Sequence, residues 1–247
     1  MRGDATIVEK LRRAAIAGLP LLFAAALPAQ QPHDPYAAPR QALVEQLRAD
    51  ASAGGGPPLD ADVLAAIARV PRHRFVPETQ RRHAYANRPL PIGHGQTISQ
   101  PYIVALMTTL LQPARGQKVL EVGTGSGYQA AVLAELGMQV YTIEIVEPLG
   151  AQAAQRLRDY PNVETRIGDG YRGWPGQAPF DAIIVTAAAS PVPPPLLEQL
   201  KPGGRMVMPV GSQWWAQQLT LIEKDAGGRV RTRQVIPVRF VPLTGER

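Results

Sequence analysis

Val119-Leu120-Glu121-Val122-Gly123-Thr124-Gly125-Ser126-Gly127 decides the fold class of this chain. A short apolar strand runs into three glycines spaced two apart, and Gln129–Leu136 continues with helical character. Glycine admits positive φ and lets a ligand approach the backbone closely. In a doubly wound sheet such a turn falls at the carboxyl edge of a strand, where cofactors bind. The same rhythm repeats downstream. Val140–Ile143, Val163–Ile167, Ala182–Val185 and Met206–Val210 are apolar strand candidates, and Leu149–Arg158 is helical. Leu219–Ile222 and Val235–Val238 add late strands. This alternation predicts an α/β fold with a doubly wound, mostly parallel sheet.

Upstream of the turn the pattern is different. Gln41–Ala51 places Leu43, Val44 and Leu47 at helical spacing. Asp60 is an N-cap candidate for a helix with Val63, Leu64, Ile67 and Val70 on one face, ended by Pro71. Residues 72–101 read as an ordered loop with short strands, and Tyr102–Leu111 as a helix. Long ordered loops are commonly functional.

Composition bounds the chemistry. The chain has 247 residues, 45% of them apolar, enough to bury a full core. There is no cysteine, which excludes disulfides, thiolate nucleophiles and cysteine-based zinc sites. His33, His73, His83 and His94 lack metal-ligand spacing, so no metal site is expected. The net charge of +6 has no compact basic run with interleaved aromatics, so nucleic acid is not an expected partner. At the N-terminus, Arg2, Lys10, Arg12 and Arg13 precede an uncharged run over residues 14–27, followed by small residues. Residues 1–29 thus have the layout of a secretory leader. The run falls short of the roughly 20 residues that span a bilayer, so no permanent span is expected. The polar, Pro-rich stretch 30–39 reads as a linker.

The glycine spacing separates two cofactor classes. A dinucleotide site wants G-x-G-x-x-G facing a pyrophosphate. Here the glycines fall at 123, 125 and 127, Tyr128 holds the last dinucleotide position, and the acidic Glu121 precedes the turn. This is similar to the pattern of class I methyltransferases, whose cofactor carries no phosphate. Glu144 closes the next strand, where a carboxylate accepts ribose hydroxyls. Asp169, in Gly168-Asp169-Gly170 after the third strand, is a candidate acceptor for an adenine amino group, with a plain Asp-Gly turn as the alternative.

A closer resemblance lies in the loop before the sheet. Ala84-Tyr85-Ala86-Asn87-Arg88-Pro89-Leu90-Pro91-Ile92 and Gly95-Gln96-Thr97-Ile98-Ser99-Gln100-Pro101 look like the substrate loop of protein-L-isoaspartate O-methyltransferases. His73-Arg74-Phe75-Val76-Pro77-Glu78, Pro179-Phe180-Asp181, Lys201-Pro202-Gly203-Gly204-Arg205 and Val241-Pro242-Leu243 match as well. The resemblance covers residues 40–247 and implies a single Rossmann-like methyltransferase domain. Its parts are a substrate-loop region (40–112), a cofactor-binding core (113–225) and a C-terminal strand and tail (226–247). It implies S-adenosyl-L-methionine as cofactor and S-adenosyl-L-homocysteine as product. It implies isoaspartyl-containing proteins and peptides as partners, methylated to start their repair through a succinimide. Ser99 is implied as the active-site residue. Cofactor contacts are implied from Gln96, Thr97, Ile98, Ser99, Glu121, Gly123, Gly125, Gly127, Glu144, Ile145, Asp169, Gly170 and Thr244. A cytoplasmic location follows from the family and from where the methyl donor is made, whereas the leader points to export. Family members commonly carry Asp where this chain has Asn87.

The chemistry asks little of the protein. An isoaspartyl carboxylate has a pKa of about 3.5, so it is already a nucleophile at neutral pH. The sulfonium is an activated donor, and catalysis reduces to desolvation and alignment. Ser99 suits this as an uncharged hydrogen-bond donor, although its place before Pro101 also permits a helix-capping role.

Other readings remain at this point. A nicotinamide oxidoreductase is disfavoured by Tyr128 and the glycine spacing. A base-modifying methyltransferase would want an amide and an aromatic after the fourth strand, where Thr186-Ala187-Ala188-Ala189-Ser190-Pro191 offers neither. A non-catalytic binder of damaged peptides would not need Glu121, Glu144 and Asp169 together. A methyltransferase of another carboxylate is the last alternative.

Overall fold

Five parallel strands carry the cofactor half of the molecule. In the computed structural model, which describes residues 34–53, 57–212 and 216–246, they are β3 (Lys118–Val122), β4 (Gln139–Glu144), β5 (Val163–Ile167), β6 (Phe180–Val185) and β7 (Leu200–Val210). Antiparallel β8 (Gln217–Lys224) and β9 (Val230–Val238) extend the sheet, giving the order β5-β4-β3-β6-β7-β8-β9. The doubly wound, mostly parallel expectation is met. Strand order reverses between β3 and β6, so the carboxyl ends of those two strands flank the crevice where such sheets bind ligands.

Alternation along the strands fills two cores. Val119, Ala182 and Ile184 join one, and Leu120, Val122, Ile183 and Val185 the other. Both faces of these strands are therefore covered, as parallel strands require. The first core is closed by α1 (Ala37–Ala53), α2 (Ala61–Arg69), α3 (Pro101–Leu110) and α4 (Tyr128–Glu135). In α4 every residue from Tyr128 to Ala134 is buried, the signature of a helix apolar on all sides. α5 (Glu147–Arg156) covers β4 and β5.

Local signals explain most boundaries. Asp60 caps α2 as its position suggests, accepting from the amides of Asp62 and Val63. α1 starts at Ala37, so residues 37–39, read from sequence as linker, are helical. Pro39 is tolerated there because the first-turn amides have no intrahelical acceptor. β7 and β9 begin six and five residues before the apolar runs that announced them, because sheet pairing to Phe180 and Lys224 recruits polar residues into both strands. A short helix, α6 (Pro194–Gln199), was not expected within a proline-rich run. Pro194 and Pro195 occupy its first turn, where proline needs no amide. The leader read over residues 1–29 lies outside the described residues. Among the described residues, no helix is long and apolar enough to cross a membrane.

Candidate active site

The loop before α3 is a small hairpin, β1 (Leu90–Gly93) paired antiparallel with β2 (Gln96–Ile98). His94 turns it at φ 52°, flanked by glycines with positive φ. Ile92 and Ile98 are buried and anchor the hairpin against the core. This leaves Gln96, Thr97 and Ser99 facing a cleft at the end of β3. α3 is capped by Gln100 without a side-chain hydrogen bond. Ser99 is therefore not the helix cap that its sequence position allowed, and its hydroxyl has no partner among the described residues.

The glycine turn is shaped by contacts as well as by torsion angles. Gly123 has φ 95°, and a Cβ there would stand 2.4 Å from Thr186 Oγ1. That hydroxyl donates to Val122 O at 3.1 Å and Gly123 O at 2.6 Å, so Thr186 clamps the turn from the end of β6. The Gly123 and Thr124 amides reach back to Ile143 O on β4. Gly127 serves another purpose. It is the left-handed N-cap of α4 and packs on Leu157, outside the cleft lining.

Two carboxylates define the floor. Glu144 is nearly buried and accepts from Gly125 N at 2.7 Å and Val146 N at 2.9 Å. Glu121 is fully buried, and Thr142 is its registered neighbour on β4. A relay runs from Thr124 to the Thr142 hydroxyl at 2.6 Å, and from there to Glu121 Oε2 at 2.6 Å. The other oxygen, Oε1, is buried with no partner among the described residues. Burial pushes the Glu121 carboxyl up to about 8, against the Thr142 hydrogen bond and with the help of nearby Glu144.

The remaining expected residues divide. Ile98, Gly125, Ile145, Gly170 and Thr244 line the cleft with those above. Ile145 is 40% exposed, an apolar surface at the rim. Gly170 is tight, since a Cβ would meet Val122 Cγ1 at 2.4 Å. Asp169 stands outside the lining. Its carboxylate accepts from Tyr171 N at 2.9 Å and Glu246 N at 2.8 Å, so the C-terminal residues rest on it. Sequence alone assigns Thr142 and Thr186 no role in the site, because a lone threonine in a strand or loop carries no signal. The same holds for Arg72. It is fully buried over the Tyr128 ring and donates from Nε to Ala84 O at 2.9 Å.

Asn87, the departure from the family's usual Asp, has a local explanation. Its Nδ2 donates to Asp50 Oδ2 at 2.8 Å, and its Oδ1 accepts from Tyr102 N at 3.0 Å. An aspartate could make only the second bond and would set a second carboxylate against Asp50. The amide ties α1 to the start of α3, behind the hairpin.

A second groove adjoins the first. Thr97, Ser99, Thr186 and Val241 belong to both walls. The strand order, the glycine turn and the carboxylates at its foot define a class I methyltransferase. Comparison with known proteins narrows this. Residues 38–247 match the family described as Protein-L-isoaspartate(D-aspartate) O-methyltransferase (PCMT). The chain is 64% identical over 208 residues to "Protein-L-isoaspartate O-methyltransferase 2" of Polaromonas sp., covering 83% of this chain and 97% of that one. It is 57% identical to "Protein-L-isoaspartate O-methyltransferase 1" of Cupriavidus necator, covering 92% of each. A solved protein-L-isoaspartate O-methyltransferase superposes with a TM-score of 0.75 at 27% identity, over 83% of this chain and 66% of that one. A Plasmodium falciparum PCMT structure in complex with S-adenosyl-L-homocysteine gives a TM-score of 0.71 at 25% identity, over 83% and 98%. This chain belongs to the protein-L-isoaspartate(D-aspartate) O-methyltransferase family.

Proposed function

We infer that this chain methylates the free carboxylate of L-isoaspartyl residues in damaged proteins and peptides, with Ser99 aligning that carboxylate. S-adenosyl-L-methionine supplies the methyl group as an activated sulfonium. The observation that carries the assignment of Ser99 is its place in the wall shared by the cleft and the neighbouring groove, with its hydroxyl uncommitted.

The cleft fits this cofactor by the chemistry of its groups. An orphaned, buried carboxylate oxygen on Glu121 is costly unless a donor or cation meets it. An aminopropyl ammonium meets that need. Glu144 would accept the ribose hydroxyls with the lone pairs its two backbone bonds leave over. Gly170 and the apolar rim at Ile145 would receive the adenine, with Asp169 accepting its amino group beside the C-terminal residues. Gln96, Thr97, Ile98 and Thr244 would close over the cofactor, and Gly123 and Gly125 would let it approach the backbone.

The protein's own part in the chemistry is then positional. The Ser99 hydroxyl donates to the substrate carboxylate and holds one oxygen toward the shared wall. No side chain takes a proton, because the nucleophile is ionised far above its pKa of about 3.5. We place this activity in the cytoplasm, where the methyl donor is made.

The test is a pair of peptides identical except that one carries isoaspartyl and the other aspartyl. Isomerisation moves the free carboxylate and lengthens the backbone by one methylene, and a misplacement of about 1 Å costs roughly a hundredfold in rate. Methylation of the isoaspartyl peptide alone is expected. Equal labelling of the two by mass spectrometry would rule out this function.

A further inference from the structure

The two adjoining cavities differ in charge. The cleft on the glycine turn carries two acidic side chains, Glu121 and Glu144. The neighbouring groove has one charged lining residue among the described residues, the cation Arg239. Arg239 is exposed and makes no ion pair or hydrogen bond among the described residues. Its long side chain is thus a free charge on the wall of the groove that leads to Ser99.

Its position is fixed by neighbours. The buried Gln217 side chain clamps the next residue from both sides. Gln217 Oε1 accepts from Phe240 N at 2.6 Å, and Gln217 Nε2 donates to Phe240 O at 3.1 Å. Beyond it, Ala188 N donates to Val241 O at 2.8 Å and Ala188 O accepts from Leu243 N at 2.7 Å. The segment carrying Arg239 is therefore pinned to β8 and to the loop after β6. Val241 lies in the shared wall, while Arg239, two residues earlier, faces the groove alone. Extended chain advances about 3.3 Å per residue, so the two backbones stand roughly 7 Å apart. A peptide that delivers one carboxylate to the shared wall would bring a residue one or two positions away within reach of the guanidinium.

Resting on the activity proposed above, we propose that Arg239 sets a charge preference in this enzyme's peptide substrates, favouring an acidic side chain next to the isoaspartyl residue over a basic one. An exposed ion pair is favourable by a small amount, and like charges cost a similar amount. Together they give a ratio of roughly twofold to thirtyfold between an acidic and a basic neighbour.

The experiment uses two isoaspartyl peptides that differ at the flanking positions, glutamate in one and lysine in the other. Steady-state kinetics are compared for wild type, Arg239→Gln and Arg239→Glu. The wild type should favour the glutamate peptide, mainly through KM, with the ratio shrinking in high salt. Arg239→Gln should bring the ratio near one and Arg239→Glu should invert it. An identical ratio in all three proteins overturns the role of Arg239 while leaving the methyltransferase activity standing. Methylation of neither peptide by wild type sinks the activity and this proposal together. An exposed arginine with no partner among the described residues can be replaced at little cost to stability, so folding does not confuse the comparison.

Discussion

Glu121 and Thr142 stand opposite each other in the register of β3 and β4, joined by a 2.6 Å hydrogen bond. The pairing holds a carboxyl group in a fully buried place with one oxygen unpartnered among the described residues, and burial raises its pKa to about 8. The consequence for stability has a definite sign. The folded protein keeps this proton up to about pH 8, whereas the unfolded chain loses it near the ordinary value of 4.5. The contribution of this group to stability is constant below pH 4.5, falls as pH rises toward 8, and levels off above. The Tm of cofactor-free wild type should therefore drop relative to Glu121→Gln across that window. Parallel melting profiles from pH 5 to 8 would show that Glu121 is ionised throughout.

Glu144 holds the turn, since its carboxylate accepts from the amides of Gly125 and Val146. Glu144→Ala should weaken S-adenosyl-L-homocysteine binding by about 1.5–3 kcal/mol, through lost charged acceptors and a loosened turn. Asp169→Ala should weaken it less, because that carboxylate already serves Tyr171 and Glu246. Calorimetry checks both. Unchanged affinity in the two variants would put the nucleoside elsewhere.

Ser99→Ala should lower turnover by about tenfold or more while leaving cofactor affinity nearly unchanged and folding stability within about 0.5 kcal/mol of wild type. The stability half of this expectation comes from the absence of a capping bond to α3. A large fall in Tm with normal turnover would assign Ser99 a structural task instead.

No histidine lines either cavity among the described residues. His73 hydrogen-bonds Tyr85 Oη at 2.8 Å and stacks on Tyr36, and His83 faces Arg82. Single-turnover methyl transfer should therefore be nearly flat from about pH 5.5 to 7, below the range where Glu121 titrates. A tenfold limb near pH 6.5 that vanishes in a His73, His83 or His94→Gln variant would mean that a histidine takes part.

The sequence by itself determined the sheet, and its resemblance to a known family carried the cofactor class and the chemistry. These rest on local patterns: apolar runs of strand length, glycines at 123, 125 and 127, a carboxylate closing the next strand, and a distinctive Thr97-Ile98-Ser99 segment. Each is legible because neighbouring residues specify it together. Only the tertiary structure decided which residues share a wall. Thr142 reaches Glu121 through strand register, Thr186 clamps Gly123 from another strand, and Gln217 pins Phe240 across 23 residues of chain. It likewise packed Gly127 on Leu157 and rested the C-terminal residues on Asp169. A threonine or glutamine has no periodicity of its own, so its role is set by what the fold brings within about 3 Å of it.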